Sequence, residues 1–169
     1  MFITLEGPEG SGKTTQIELL VAWLSEQRYD VVLTREPGGT DIGTQIRDVL
    51  HDPANTAMAS TAEILLYSAD RAQHVAEFIK PHLAEGKIVI SDRYYDSTLA
   101  YQGYGRGLDL EALQAITAFA TGGLKPDLTL YLDIAPEKGL ERRQSGGGEW
   151  NRLDAEALEF HQRVREGYL

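Results

Sequence analysis

The most informative residues of this chain lie at positions 7–14, where the sequence reads GPEGSGKT. This stretch fits G-x-x-x-x-G-K-[ST], a pattern in which glycines let backbone N–H groups turn inward around phosphate oxygens. In such a loop Lys13 reaches the β and γ phosphates of a nucleotide, and the Thr14 hydroxyl is a ligand for magnesium. The pattern therefore predicts a triphosphate site. Its expected contacts are Gly7, Pro8, Glu9, Gly10, Ser11, Gly12, Lys13, Thr14 and Thr15.

An acid and a base stand side by side further along the chain, directly after the apolar run IVIS at positions 88–91. Asp92 is well placed to hold magnesium through water near the β and γ phosphates, and its alternative role is a helix cap. Asp133, which follows the run TLYL, is the rival acid. The patterns N-K-x-D and D-x-x-G do not occur, which argues against a guanine-nucleotide switch.

Short apolar runs alternate with segments of helical periodicity along the whole chain. Strands are predicted over residues 2–5, 29–34, 87–91 and 127–132, and helices over residues 14–27, 43–50, 62–83, 110–121, 136–143 and 154–168. This alternation predicts an α/β fold with three layers, in which helices flank a central parallel sheet. Ligands of such sheets bind beyond the carboxyl ends of the strands, where both chemical motifs fall.

The composition restricts the partners of the protein. Sixteen basic and 26 acidic side chains give 169 residues a formal charge of −10, which argues against binding to nucleic acid or to an anionic membrane surface. There is no cysteine, and no run approaches the roughly 18 apolar residues of a membrane span. We therefore expect an unexported cytoplasmic protein that holds a small anionic ligand with a few well-placed cations.

Two longer segments resemble a known family. Residues 90–102, ISDRYYDSTLAYQ, resemble the signature of the thymidylate kinases, and residues 35–40, REPGGT, resemble the segment after the second strand in that family. The resemblance covers essentially the whole chain and is to the bacterial type. It implies a P-loop kinase fold in one domain over residues 1–169, transfer of the γ-phosphate of ATP to dTMP, Mg²⁺ as cofactor and usually a homodimer.

The resemblance also implies roles in the acceptor site. Arg93 and Arg47 correspond to arginines that clamp the acceptor phosphate, although each has a surface ion pair as its alternative. Tyr67 and Arg71, four residues apart on one helical face, correspond to an aromatic and an arginine on the thymine ring. An arginine donor suits the O4 carbonyl of thymine but not the amine of cytosine. Tyr101 corresponds to the tyrosine beneath the deoxyribose, which leaves no room for a 2′-hydroxyl.

Five further residues complete the expected acceptor site. Thr98 and Gln102 lie on the same stretch as Tyr101 and are expected at the base, and Glu36 and Pro37 resemble the loop that borders the nucleotide. Glu9 is an unusual carboxylate inside a phosphate loop, because it repels the nucleotide's own charge. The family carries an acid here that contacts the acceptor's sugar hydroxyl or its water. The alternative is an acid that points outward into solvent.

The transferred phosphate must be stabilised by cations rather than by a general base, because the attacking oxygen of dTMP is already anionic. One branch of the family supplies an arginine from inside the phosphate loop, where this chain has Gly10 as in bacterial-type members. The extra cation is therefore expected from a lid at about residues 142–152. Arg143 and Arg152 rank nearly equal for this role, and Arg142 is expected against adenine. The expected catalytic residues are thus Lys13, Glu9, Arg93, Arg143 and Arg152.

The lid and the C-terminus are where the resemblance weakens. Bacterial relatives often carry several lid arginines and a D-R pair, whereas this chain has SGGG at 145–148 and NR at 151–152. Relatives also continue for about another helix, so the helix that borders adenine is expected to be absent. Two alternatives stay open: a kinase for another nucleoside monophosphate or a deoxynucleoside, and a nucleotide-binding regulatory module that no longer transfers phosphate.

Overall fold

Four parallel strands form the central sheet of the computed structural model, which describes residues 1–146 and 150–169. They are β1 Phe2–Glu6, β2 Val31–Arg35, β3 Ile88–Asp92 and β4 Leu128–Tyr131, in the order β2-β3-β1-β4. Helices flank this sheet, so the predicted fold class is confirmed. The predicted strands agree with the observed ones to within two residues at each end.

The helices of the described residues follow the predicted ones closely in most places. They are α1 Lys13–Glu26, α2 Asp41–His51, α3 Ser60–His74, α4 Lys80–Ala84, α5 Tyr95–Thr98, α6 Leu110–Thr121, α7 Pro136–Ser145 and α8 Leu158–Tyr168, with π-helical segments at Val75–Ile79 and Leu99–Gly105. In the part of the chain that the structure describes, no helix is both long enough and apolar enough to cross a bilayer.

The predicted helix over residues 62–83 is confirmed as a helical segment over residues 60–84, but its hydrogen bonding changes along its length. The α-helical hydrogen bonding of α3 ends at His74, the next turn is π-helical, and α4 begins at Lys80. Pro81 follows directly and has no N–H group to donate to the preceding turn, so a regular α-helical ladder cannot run through it. Apolar periodicity alone does not reveal such a change of hydrogen bonding.

The last helix begins four residues later than predicted, at Leu158 rather than at residue 154. Before it, the Asn151 side-chain oxygen accepts hydrogen bonds from the N–H groups of Leu153 and Asp154, at 2.8 and 3.1 Å. Asparagine favours such local turns over a helix. The turn places the chain beneath α8 before the helix starts.

The sheet is covered on both faces because its side chains alternate between them. Ile3 and Leu5 pack with Ile17 and Leu24 of α1 on one face, and Phe2 packs with Val75 and the other members of a second cluster on the opposite face. These two clusters leave the carboxyl edge of the sheet open. The register then places Leu5 and Arg35 on either side of Asp92, so that the loops after β1, β2 and β3 meet at this edge.

Candidate active site

A cavity of about 620 Å³ opens at the carboxyl edge of the sheet. Three acidic side chains of the described residues line it, Glu9, Glu36 and Asp92. The basic side chains outnumber them: Lys13, Arg35, Arg47, Arg71, Arg93, Arg142 and Arg143. A chain of formal charge −10 thus gathers positive charge in this one cavity, which suits a polyanionic ligand.

The predicted phosphate loop connects β1 to α1 at this edge. Gly7, Gly10 and Gly12 have positive φ angles of 145°, 69° and 93°, which glycine adopts at little cost. The Lys13 Nζ atom donates to the carbonyl oxygens of Gly7 and Pro8, each at 3.0 Å. Glu9 through Thr15 line the cavity, whereas Gly7 and Pro8 are not among its lining residues. The lysine is therefore held across the loop by backbone carbonyls.

The surroundings of Lys13 disfavour the charged form of its amine. Burial of the side chain, and then the nearby Arg93, lower the pKa of Lys13 from 10.5 to about 8, although Glu9 and Asp92 act in the opposite direction. Phosphate oxygens at the loop would favour the charged amine again. The loop is therefore electrostatically suited to an anionic ligand.

The phosphate loop also packs tightly against α7. A Cβ atom at Gly10 would collide with the carbonyl group of Gly139, and a Cβ atom at Gly139 would collide with the carbonyl oxygen of Glu9. No side chain fits at either position without movement of the backbone. The structure thus gives a steric reason why position 10 carries no arginine in this chain.

Arg93 lies at the centre of the acceptor side of the cavity. Its backbone has a φ of 74°, an uncommon conformation for a residue with a side chain. Its guanidinium donates to five oxygen atoms, those of the Gly7 carbonyl (3.0 Å), the Ser97 hydroxyl (3.1 Å), the Tyr168 hydroxyl (2.9 Å), the Glu9 carboxylate (2.7 Å) and the Tyr101 hydroxyl (3.2 Å). The side chain is therefore fixed in one orientation by several separate segments.

Glu9 points into the cavity rather than outward. It accepts hydrogen bonds from Arg93 and from the Tyr101 hydroxyl, the latter at 3.1 Å. Burial acts to raise the pKa of Glu9, but Arg93, followed by Lys13 and Arg143, holds this pKa at about 2. Glu9 is therefore ionised and forms an ion pair with Arg93.

A second carboxylate, Glu6, is linked to Arg93 through hydroxyl groups that both residues contact. Its oxygens accept hydrogen bonds from the Tyr94 N–H at 2.7 Å, the Ser97 hydroxyl at 2.6 Å and the Tyr168 hydroxyl at 3.1 Å. Burial raises the pKa of Glu6 to about 7, and Arg93 opposes this shift. Glu6 thus connects the end of β1 to the segment that carries Arg93.

Arg71 is buried, and each of its three guanidinium nitrogens donates a hydrogen bond. Its Nε donates to Glu36 at 2.7 Å, Nη1 to the Thr98 hydroxyl at 2.8 Å and Nη2 to the Tyr94 carbonyl at 3.2 Å. The other oxygen of Glu36 contacts His74 Nδ1 at 2.9 Å. This arrangement fixes the plane of the guanidinium at the wall of the cavity. Arg71, Glu36 and Thr98 are therefore brought together as the sequence analysis expects.

The remaining expected acceptor residues also line the cavity. Tyr67 and Gln102 are buried in its wall, and the Tyr101 hydroxyl accepts a hydrogen bond from Arg93. Arg47 donates to the carbonyl oxygen of Pro37 at 2.8 Å, next to the cis peptide bond between residues 36 and 37. Burial, and then the like charge of Arg35, lower the pKa of Arg47. An anion in the cavity would relieve this repulsion.

Two buried polar atoms of the site have no hydrogen-bond partner among the described residues. They are Asp92 Oδ1 and Ser11 Oγ, and both residues line the cavity together with Thr14. The described residues contain no cluster of three His, Cys, Asp or Glu side chains that suits a metal ion. A magnesium ion would therefore need phosphate oxygens and water as its other ligands, as this ion usually does in nucleotide sites. Asp133 does not line the cavity and pairs with Arg165 at the surface.

The three lid arginines are in different environments. Arg142 and Arg143 line the cavity from the last turns of α7, and Arg142 Nη1 lies 3.5 Å from the Gly10 carbonyl oxygen. Arg143 forms an ion pair with the buried Asp154. Part of the expected lid, residues 147–149, lies outside the described residues.

Arg152 does not reach the cavity, in contrast to its expected role at the phosphates. It is 8% exposed, donates to the Leu50 carbonyl oxygen at 3.1 Å and forms an ion pair with Glu63. After the turn at Asn151, Arg152 thus contacts α2 and α3 rather than the cavity. Arg143 is thus the better placed of the two equally ranked arginines.

Several residues of the site carried no recognisable pattern in the sequence. Glu6 and Arg35 are the last residues of β1 and β2, so their positions at strand ends were the available signal, whereas Ser97 stands inside the segment at residues 90–102. Tyr168 and Glu63 had no such signal, because they are 75 and 39 residues away from Arg93 and Gln102, the residues that they contact. Only folding brings these pairs together.

Known proteins resemble this chain over nearly its whole length. The model of the thymidylate kinase family matches residues 5–169. The thymidylate kinase of Carboxydothermus hydrogenoformans is 60% identical over 168 residues, which cover 99% of this chain and 82% of that protein. The thymidylate kinase of Roseiflexus sp. is 57% identical over 179 residues, covering 99% of this chain and 79% of the relative.

A solved structure shares the fold over nearly the whole chain. The crystal structure of thymidylate kinase from Ehrlichia chaffeensis superposes with a TM-score of 0.80 at 40% sequence identity. The match covers 99% of this chain and 78% of that structure.

Proposed function

The chain belongs to the thymidylate kinase family and transfers the γ-phosphate of ATP to dTMP, giving dTDP and ADP for dTTP synthesis, and we propose how its residues divide this work. ATP occupies the loop at residues 7–15, and dTMP occupies the wall that carries Arg71 and Arg93. The observation that supports this division most strongly is the placement of Lys13 and Arg93 at one cavity, each beside Glu9.

Arg93 is the proposed clamp for the phosphate of dTMP. Its guanidinium forms an ion pair with Glu9, at 2.7 Å. An incoming phosphate would compete for the same N–H groups, and Glu9 would then be released to contact the sugar hydroxyl or its water. Arg47 is the proposed second cation on this phosphate. Binding of the acceptor is thus an exchange of one anion for another at a preformed guanidinium.

ATP is proposed to bind through the backbone amides of the loop, Lys13 and magnesium. Thr14 supplies a hydroxyl ligand, and Asp92 holds the ion through water. The unpartnered Oδ1 atom of Asp92, buried at the cavity, supports this role. When bound, the ion neutralises charge that develops between the β and γ phosphates.

The role of Asp92 predicts a change in magnesium requirement. We expect Asp92→Asn to raise the Mg²⁺ concentration for half-maximal activity by about tenfold or more, because the neutral amide binds the ion's water less strongly. Activity is measured as ADP release during a magnesium titration at saturating ATP. Asp133→Asn is the matched control, since Asp133 is the rival acid outside the cavity, and its titration should be unchanged. An unchanged titration for Asp92→Asn would exclude Asp92 from this role.

Base and sugar selection is proposed to come from the wall formed by Tyr67, Arg71, Thr98, Tyr101 and Gln102. Tyr67 supplies an aromatic surface for the thymine ring, and Arg71 donates toward O4. Thr98 holds Arg71 in place through the 2.8 Å hydrogen bond. Tyr101 is proposed to lie beneath the deoxyribose and to exclude a 2′-hydroxyl. Glu36 and Pro37 border the nucleotide and position Arg71 and Arg47, respectively.

A comparison of acceptors tests these assignments. We expect the highest kcat/KM for dTMP and a value about 100-fold lower for dCMP, because the amine of cytosine opposes the Arg71 donor. Thymidine, which lacks the phosphate that Arg93 and Arg47 would bind, is expected to be a poor acceptor, as is AMP. The assay is ADP release with each acceptor, and dUMP serves to measure the contribution of the thymine methyl group. Comparable turnover of dCMP and dTMP would contradict the proposed contact of Arg71.

Arg143 is the proposed lid arginine at the transferred phosphate, and Arg142 is the proposed neighbour of adenine. Both lie at the cavity on α7, whose backbone touches the phosphate loop at Gly10 and Gly139. We retain the interpretation of residues 1–169 as one kinase domain with a lid at about 142–152. In this division Arg152 has a supporting rather than a catalytic role.

A homodimer and a cytoplasmic location remain part of the proposal. Exposed apolar side chains on neighbouring helices support the dimer, namely Ile42 and Val49 of α2 and Leu65 of α3. Neither nucleic acid nor a membrane is proposed as a partner of this acidic chain. The alternative acceptors considered from the sequence are not favoured.

A further inference from the structure

Among the described residues, only the NH₂ end of the Gln102 side-chain amide has a hydrogen-bond partner. Its Nε2 atom donates to Glu63 Oε1 at 2.9 Å, and Gln102 is 2% exposed in the wall of the cavity. In the part of the chain that the structure describes, no group donates a hydrogen bond to the carbonyl oxygen of this amide. The two ends of an amide are nearly equal in size but opposite in hydrogen bonding, so its fixed partner decides which end faces a ligand.

Glu63 can only accept a hydrogen bond from Gln102. It is 1% exposed, lies outside the cavity lining, and also pairs with Arg106 and Arg152. Burial acts to raise the pKa of Glu63, but hydrogen bonds from Arg106, Gln102 and Arg152 lower it below its ordinary value. The carboxylate is therefore ionised near neutral pH and cannot donate. The NH₂ end of Gln102 must turn toward it.

We propose that Glu63 is a specificity-determining positioning residue, which orients the Gln102 amide so that its carbonyl oxygen faces the acceptor base. The inference rests on the proposed place of Gln102 beside the base. A carbonyl accepts a hydrogen bond from the N3–H of thymine, whereas N3 of cytosine is itself an acceptor and would meet an unpaired oxygen. Glu63 thus selects the base without touching it.

The location of Glu63 in the fold suits this role. It lies one turn before Tyr67 and two turns before Arg71 on α3, while Gln102 comes from the π-helical segment Leu99–Gly105. The Glu63 carboxylate therefore joins the helix that carries the proposed base-stacking residue to the segment that carries the N3 acceptor. Its two arginine partners keep it charged and fixed at this junction.

The test compares dTMP with 3-deaza-dTMP, in which C–H replaces N3–H, the methyl group remains and O4 becomes a hydroxyl whose oxygen can still accept from Arg71. We expect the wild-type enzyme to use the analogue with a kcat/KM about tenfold lower, mostly through KM, since one hydrogen bond is lost and a carbonyl is left unpaired. In Glu63→Gln, Arg106 and Arg152 hold the new amide oxygen, so its NH₂ group faces Gln102 and reverses it. We expect KM for dTMP to rise and the difference between the two acceptors to fall to about threefold or less.

Three further variants separate positioning from a general structural effect. Arg106→Lys keeps a cation beside Glu63 and leaves the Gln102 contact, so it should keep the wild-type acceptor ratio even if the melting temperature falls. Gln102→Leu should abolish the ratio with Glu63 intact. If Glu63→Gln does not fold, Glu63→Asp keeps the charge but withdraws the carboxylate from Gln102, and a reduced ratio is expected.

The outcomes are distinct. A wild-type ratio in a folded Glu63→Gln or Glu63→Asp variant would overturn the proposal, because lower stability alone does not change a ratio between two acceptors. Equal use of both acceptors by the wild type would overturn it as well, by removing Gln102 from N3. In that second case continued turnover of dTMP would leave the thymidylate kinase reaction untouched.

Discussion

Substitution of Arg93 by alanine is expected to lower kcat/KM for dTMP by about three powers of ten or more. The variant loses the guanidinium proposed to hold the acceptor phosphate, and it also leaves Glu9 without its ion-pair partner at 2.7 Å. Because Arg93 is the main cause of the low pKa of Glu9, this carboxylate would remain as an uncompensated charge beside the acceptor. The expected loss of kcat/KM is therefore larger than the loss that one missing contact would cause. It is measured as ADP release at varied dTMP, with melting temperature recorded in parallel.

The matched control for this variant is Arg106→Ala. Arg106 is buried to the same extent as Arg93, with side-chain exposures of 16% and 15%, and it also pairs with a carboxylate. Arg106 does not line the cavity, so its loss should change stability far more than dTMP turnover. Arg93→Lys should recover little activity, because an ammonium group lacks the planar fork. Robust turnover by Arg93→Ala would remove Arg93 from the phosphate clamp.

Substitution of Lys13 by methionine is expected to lower kcat by about three powers of ten, and the variant is expected to stay folded without nucleotide. Methionine fills a similar volume but supplies no charge to the β and γ phosphates. The Lys13 pKa of about 8, below the ordinary 10.5, means that the fold disfavours the charged amine. This cost is fully present below pH 8 and disappears as the pH rises above 10.5, because the amine is then neutral in both the folded and the unfolded state.

The stability of the Lys13→Met protein is therefore expected to equal or exceed that of the wild type at pH 7, in contrast to Arg93→Ala. The measurements are thermal unfolding without nucleotide and ADP release with ATP and dTMP. ATP should raise the melting temperature of the wild type but raise that of Lys13→Met much less. Equal stabilisation of both proteins by ATP would argue that the triphosphate does not lie against Lys13.

The chemistry that depends on neighbouring residues could be predicted from the sequence. The phosphate loop, the pair Asp92-Arg93 and the alternation of strands and helices each lie within a short stretch of chain, where local geometry follows from residue type and spacing. A parallel sheet then brings strand ends to one edge, so the approximate place of the site also followed.

The partners of these residues could not be predicted in the same way. Arg93 contacts Tyr168 and Glu9 from opposite ends of the chain, and the change to π-helical hydrogen bonding before Pro81 leaves no trace in the apolar periodicity of that helix. Hydrogen-bonding capacity is visible in a sequence, but the choice among many possible partners is made only when the backbone has folded.

Arg152 shows this limit most clearly. As a basic residue at the end of the expected lid it was ranked equal to Arg143, and both are arginines in a polar segment. The turn at Asn151 and the buried carboxylate of Glu63 decide between them, since Arg152 pairs with Glu63 of α3 while Arg143 stays at the cavity. The sequence thus determined the reaction and the residue types that perform it. The tertiary structure decided which cations face the phosphates, because that depends on contacts between residues far apart in the chain.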